Sequence, residues 1–116
     1  MNSILHEAKQ YIEVPDIIID LYDLTLVWIS PRLKKLSGYK DEDLINKQST
    51  DFLVGTLDQR RQVLYDRIVR EKGKGEFVAK AKSGEIMNIE TKFKVFEFDG
   101  VQYVASHVVK VNSKIF

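Results

Sequence analysis

Residues 26–44, LVWISPRLKKLSGYKDEDL, leave the backbone little choice. Leu26, Val27, Trp28 and Ile29 are all aliphatic or aromatic, as a buried pleated strand requires. Ser30-Pro31 then starts a helix: the serine hydroxyl can accept an orphan backbone N–H, and proline at the first helical position has no N–H to leave unpaired. Leu33 and Leu36, three apart, are expected on one face, with Arg32, Lys34 and Lys35 on the wet side and Gly38 closing the helix in the left-handed conformation. Tyr39 re-enters the apolar interior, and Asp41, Glu42 and Asp43 place negative charge on the N-terminus of another short helix ending at Leu44.

Around this stretch the periodicities change twice. Residues 2–12 form one amphipathic helix, with Ile4, Leu5, Ala8 and Ile12 as its stripe and His6, Glu7, Lys9 and Gln10 opposite. That stripe is covered either by the chain's own sheet or by a second copy. Pro15 ends the segment, residues 17–22 form a strand, and Asp23-Leu24-Thr25 turns it back into the Trp28 strand. Between residues 46 and 55 the pattern is short and broken, with Ser49 or Thr50 able to cap a single turn holding Phe52 and Leu53. Thr56 and Gln59 have the spacing of a capping box, which predicts a long helix to about Lys72, before Gly73. At 100° per residue Leu57, Leu64 and Ile68 share a face of that helix, with Tyr65 at its edge and Arg61 inside the stripe. Arg61 either covers the core with its methylenes and reaches water, or enters a cavity and pairs with a carboxylate or phosphate ligand.

Turn chemistry constrains the last three strands. A three-residue loop at Lys82-Ser83-Gly84, with Gly84 left-handed, pairs Ala79 with Met87 and Phe77 with Ile89; a two-residue turn would set Phe77 against Glu90. The first register is chosen because opposed residues must share a face, and it leaves Lys80, Glu90, Lys92 and Lys94 on an outer, solvated face. Residues 101–111 are apolar on both faces, so this strand is expected to be central and covered on both sides. His107 shares a face with Lys92 if Asp99-Gly100 is a two-residue turn, or with Thr91, Phe93 and Ala105 if Phe98 joins the loop; the sequence leaves both open.

The strand, Ser-Pro, short helix, Leu-x-Gly-Tyr and acidic pair before Leu resemble the N-terminal half of a PAS domain. Asp51-Phe52, the helix after Thr56, Lys82-Ser83-Gly84-Glu85 in a hairpin and Asp99-Gly100 before the last strand agree in order and spacing, so the resemblance covers residues 14–111. It implies an α+β fold with a five-stranded antiparallel sheet, short helices and one long helix on a single face, preceded by the amphipathic helix. The organisation it implies is a dimerisation helix over 1–13, a sensor domain over 14–112 and a tail over 113–116. It also implies a cavity between helices and sheet, for which Trp28, Phe52, Arg61, Leu64, Tyr65, Phe77, Met87, Ile89, Phe93 and His107 are the candidate ligand contacts, or simply core. Ile4, Leu5, Ala8 and Ile12 are the candidate homodimer contacts. Haem-binding members supply an axial histidine from the long helix, and residues 56–72 contain none, which argues against haem. Many relatives carry His-Pro where this chain has Gly55-Thr56, so nothing known of that histidine transfers.

Composition narrows the function further. With no cysteine, a disulfide framework, thiolate metal sites and the covalent flavin adduct of light-sensing relatives are excluded; non-covalent flavin stays open. The 18 basic and 17 acidic residues nearly cancel, and the outer face lacks interleaved aromatics, so neither nucleic acid nor an anionic membrane is expected as a partner. No segment approaches a membrane span or a signal peptide, which leads to a cytoplasmic protein or a cytoplasmic piece of a longer one. No nucleophile-plus-base constellation, Gly-rich phosphate loop or carboxylate pair points to an enzyme. The expectation is a sensory module that binds a small molecule, dimerises and signals to an output domain such as a kinase or regulator. The rival is a ligand-free interaction scaffold.

Overall fold

The structure, a computed structural model, describes residues 3–114. Its centre is an antiparallel sheet of β1 (Ile17–Asp20), β2 (Leu26–Ile29), β3 (Lys72–Lys80), β4 (Ile86–Phe98) and β5 (Val101–Lys114), in the order β2-β1-β5-β4-β3. The strand expected to be central for its apolar faces, β5, lies in the middle. Val104 and Val108 enter one core cluster and Ala105 and Tyr103 the other. The hairpin registers follow the turns: Ala79 faces Met87 and Phe77 faces Ile89, with Gly84 left-handed. Phe98 pairs with Val101, so Asp99 and Gly100 alone make the second turn, both with positive φ, as a turn matched to strand twist needs. That decides His107, which pairs with Lys92 on the outer side.

One face of the sheet carries α2 (Pro31–Ser37), α3 (Asp41–Leu44), a 3₁₀ turn at Ser49–Phe52 and α4 (Leu57–Arg70). The caps of α2 are the expected ones: Leu33 N–H donates to the Ser30 hydroxyl at 3.1 Å, Pro31 stands in the first turn, and Gly38 closes the helix at φ 81°. Leu33 is buried with Ser37, whereas Leu36, expected beside Leu33, is exposed; the face is set by the i, i+4 neighbour. The 3₁₀ turn has no side-chain cap, because the Ser49 hydroxyl donates to the Leu24 carbonyl instead. Thr56 and Gln59 form the capping box of α4, which ends at Arg70 with Glu71 at a positive φ of 66°, short of Lys72.

Both sheet edges are covered by this layer. Residues 46–48 hydrogen-bond to the edge at Leu26 and Thr25, and Val54 N–H donates to the Val78 carbonyl at 2.9 Å on the other side. Loose strand edges are thereby paired rather than exposed.

The opposite face is covered by α1 (Ser3–Ala8). The helix expected to reach Ile12 stops at Ala8 and tightens into turns: Tyr11 N–H donates to the Ala8 carbonyl at 3.0 Å. Ile4 and Ala8 are buried against this chain's own Ile18, Phe96 and Ala105, and Leu5 and Ile12 pack at the margin of that cluster. Tyr11 stacks on Phe96, which stacks on Tyr103. Among the described residues no helix is long and apolar enough to cross a membrane.

Candidate functional site

Between the helical layer and the sheet lies a cavity of about 100 Å³. Ile17, Ile19 and Val104 form its floor from the middle of the sheet, Met87, Ile89, Phe77 and Ala79 one wall, Leu26, Ile29, Leu33 and Leu44 the other, and Phe52, Leu53, Val63 and Leu64 its roof. Five of the ten cavity residues expected from sequence therefore meet here: Phe52, Leu64, Phe77, Met87 and Ile89.

The other five do not line it, each for an identifiable reason. Trp28 lies on the outer face beneath α1 with Val27 and Ile18, because an irregularity between Ile18 and Ile19 breaks the alternation and leaves Leu26 and Ile29 inward. His107 is also outward; its Nδ1–H donates to the Val14 carbonyl at 2.8 Å. Arg61 and Tyr65 are exposed, because α4 is rotated away from the face its apolar residues mark. Its inward residues are Val63, Leu64 and Arg67, while Leu57, Ile68 and Val69 face solvent. Phe93 is buried beside the cavity but covered by cations, with the guanidinium carbons of Arg67 and Arg70 at 4.8 and 5.2 Å from its ring centroid.

Arg67, not Arg61, is the cation that the long helix turns inward. Only 5% exposed, it donates through Nη1 to Asp66 at 2.7 Å and through Nη2 to the Glu76 carbonyl at 3.4 Å. Asp66 also accepts from Arg70 at 3.0 Å. Burial pulls Arg67 below the usual arginine value, and the Asp66 carboxylate partly offsets that. The guanidinium lies against Gly75 of β3, where a Cβ would come within 2.4 Å of it; any other residue would push the arginine aside. Arg67 borders the cavity and also a surface groove lined by Asp66, Arg70, Gly75, Glu90, Thr91 and Lys92.

The remaining polar groups of the cavity wall look mostly to the protein. Tyr39 donates to the Lys80 carbonyl at 2.8 Å, Ser49 to the Leu24 carbonyl, and Ser37 weakly to the Lys34 carbonyl at 3.4 Å. Among the described residues, no His, Asp or Glu borders the cavity.

A second buried charge escaped the sequence reading altogether. Asp16, 1% exposed, accepts from the Ser30 hydroxyl at 2.6 Å, Arg32 Nη2 at 2.6 Å and Val108 N–H at 2.8 Å, and His107 Nδ1 lies 3.3 Å away. Burial alone would raise its pKa, but the hydrogen bonds from Arg32, Ser30 and Val108 together hold it below the usual carboxylate value. The pairing of Ile17 with Ile29 brings Asp16 opposite the capping Ser30 and near Arg32.

The volume tests the cofactor expectation. At about 100 Å³ the cavity is well below the ~300–1,000 Å³ of pockets for drug-sized ligands, and the tricyclic ring of a flavin does not fit this arrangement.

No family model matches the sequence, and no curated protein does. Solved structures match it in fold. A PAS domain from Desulfitobacterium hafniense is 13% identical, over 87% of this chain and 94% of that one, with a TM-score of 0.71. The PAS domain of an HTR-like protein from Haloarcula marismortui is 19% identical over 92% of both chains, with a TM-score of 0.64. A PAS domain from a two-component sensor histidine kinase is 10% identical, over 97% of this chain and 96% of that one, with a TM-score of 0.69. At such identities the likeness is one of fold: the chain has the fold of a PAS domain.

Proposed function

We propose that the chain is a sensory module that binds a small molecule in its core cavity and passes the event to a second copy and to an output domain. The observation that carries this reading is the cavity itself, a space of about 100 Å³ in the middle of a core whose roof is made of short segments rather than of the sheet. A well-packed domain has few voids larger than a water, and each destabilises it. A guest that prefers one arrangement of residues 49–55 and α4 over another would shift their populations, and only that difference in affinity can carry a signal. The PAS domain of a sensor histidine kinase among the structural neighbours supports a kinase or regulator as the output. In the homodimer of this reading α1 keeps Ile4 and Ala8 on its own sheet, and the contact falls to the neighbouring exposed Tyr11 and Val14.

A second reading, a permanent interaction scaffold with no ligand, draws on the exposed apolar stripe of α4, where Leu57, Tyr65 and Val69 face solvent. Native mass spectrometry of the freshly purified chain, with an absorption spectrum of the same sample, separates the two. A dimer carrying additional mass is the expected result; a dimer of bare chains favours the scaffold, and a bare monomer overturns both the sensor and the dimer.

A further inference from the structure

Resting on the sensor reading, the geometry points to the class of guest and to its way in: a neutral, largely apolar molecule no larger than about the size of benzene, admitted past Arg67. Size comes first. A protein cavity of ~150 Å³ lined by Leu, Ile and Phe stays dry and takes up benzene or xenon, and this one is somewhat smaller with the same kind of lining. Charge comes second. An anion would need a cation turned towards it, yet the buried cation at the wall, Arg67, already holds Asp66 and lies over Phe93, and Lys80, the other cation bordering the cavity, is exposed to solvent. An ionised guest would shed its water with nothing to replace it, which is prohibitive in a low-dielectric space. Third is hydrogen bonding. Tyr39, Ser37 and Ser49 spend their donors on backbone carbonyls, and among the described residues Ser106 is the cavity-wall hydroxyl without such a bond, so the guest has at most one polar group to satisfy.

The route follows from Arg67's double position. It is a wall of the cavity on one side and of the outer groove on the other, and its fixed partners are Asp66, its neighbour in sequence, and one long bond to the Glu76 carbonyl. Swinging the guanidinium outward keeps the Asp66 contact and gives up only the Glu76 bond and the ring of Phe93. Among the described residues of the wall, no other side chain combines burial, length and an outward partner in this way.

The test is a methyl NMR titration of the chain with benzene and, separately, with benzoate at equal concentration. Benzene is expected to move the methyl signals of Leu64, Met87 and Ile89 to saturation while benzoate moves none of them. Preference for benzoate would overturn the neutral class and leave the sensor reading intact. Failure of both probes would overturn this inference as a whole, while the mass bound to the protein as purified still judges the sensor reading independently. For the route, Arg67→Met keeps an apolar stem without the charge, and Gly75→Ala displaces the guanidinium without removing it. In each variant, checked as folded by its spectrum, benzene exchange is expected to accelerate by about tenfold, the effect of one charge-assisted hydrogen bond lost from the barrier. Unchanged exchange in both would overturn the route past Arg67.

Discussion

Asp16 and Arg67 are charged side chains that the fold buries, and they are held in opposite senses. Asp16 is a buried anion whose cationic partner, Arg32, is 59% exposed; Arg67 is a buried cation whose anionic partner, Asp66, is 39% exposed. The difference lies in where the partners come from. Asp16 gathers donors from the cap of α2 and from β5, as far away in sequence as Val108, and Arg32 adds a bond of 2.8 Å to the Val108 carbonyl. Such a carboxylate cannot move without separating three parts of the chain. Arg67 leans on its sequence neighbour, on the face of Phe93 and on one long carbonyl contact, so it can move and leave the sheet intact. One charge joins elements; the other borders a cavity. Parts that must open for a ligand come from the locally held end of such a range.

The largest effect that separates the two is expected from Asp16→Ala. It leaves the Ser30 hydroxyl and the Val108 N–H buried without an acceptor, a loss of about 3 kcal/mol in unfolding free energy measured by urea titration. The same carboxylate sets an acid limit. Its folded pKa is depressed, so its contribution is fully present above the unfolded value of ~3.9 and disappears as pH falls from there through the lower folded value. Unfolding midpoints measured down that range should fall for the parent chain and lose this component in Asp16→Asn. A cost for Asp16→Ala no greater than that of a surface substitution would remove the structural half of the comparison.

Gly75→Ala comes next. Its new Cβ would meet the Arg67 guanidinium at 2.4 Å, and overpacking of that kind costs about 1–3 kcal/mol. Combined with Arg67→Met, which removes the obstructing group, the alanine is expected to become nearly neutral, a coupling that a double-mutant cycle reads directly. Additive effects would show that Gly75 does not make room for this arginine.

Where local chemistry decides, the sequence was legible. Ser30, Pro31 and Gly38 bound α2 because caps depend on neighbours a few residues away, and Gly84 set the first hairpin register because a turn determines what it joins, whereas the Asp99-Gly100 register, open in the sequence, was decided by the pairing of Phe98 with Val101. The two apolar faces of β5 announced its central place. Three things were hidden. Trp28's side depended on an irregularity in pairing that no alternation rule contains. The inward face of α4 was misread because periodicity assumes that apolar residues go in, whereas here Arg67 goes in and Ile68 and Val69 stay out. Asp16 acquires its meaning only when Val108 arrives beside it, which no local pattern foretells.

Hydrogen–deuterium exchange, followed with and without benzene, tests the central claim most directly: that the Arg67 end opens to admit a neutral guest while the Asp16 end stays shut. The account predicts that amides of the last turns of α4 and of β3 near Gly75 exchange faster than Val108 in the free chain, and that benzene slows the former and leaves Val108 unchanged. Equal protection at both ends, or slowing confined to Val108 and its neighbours, would contradict it.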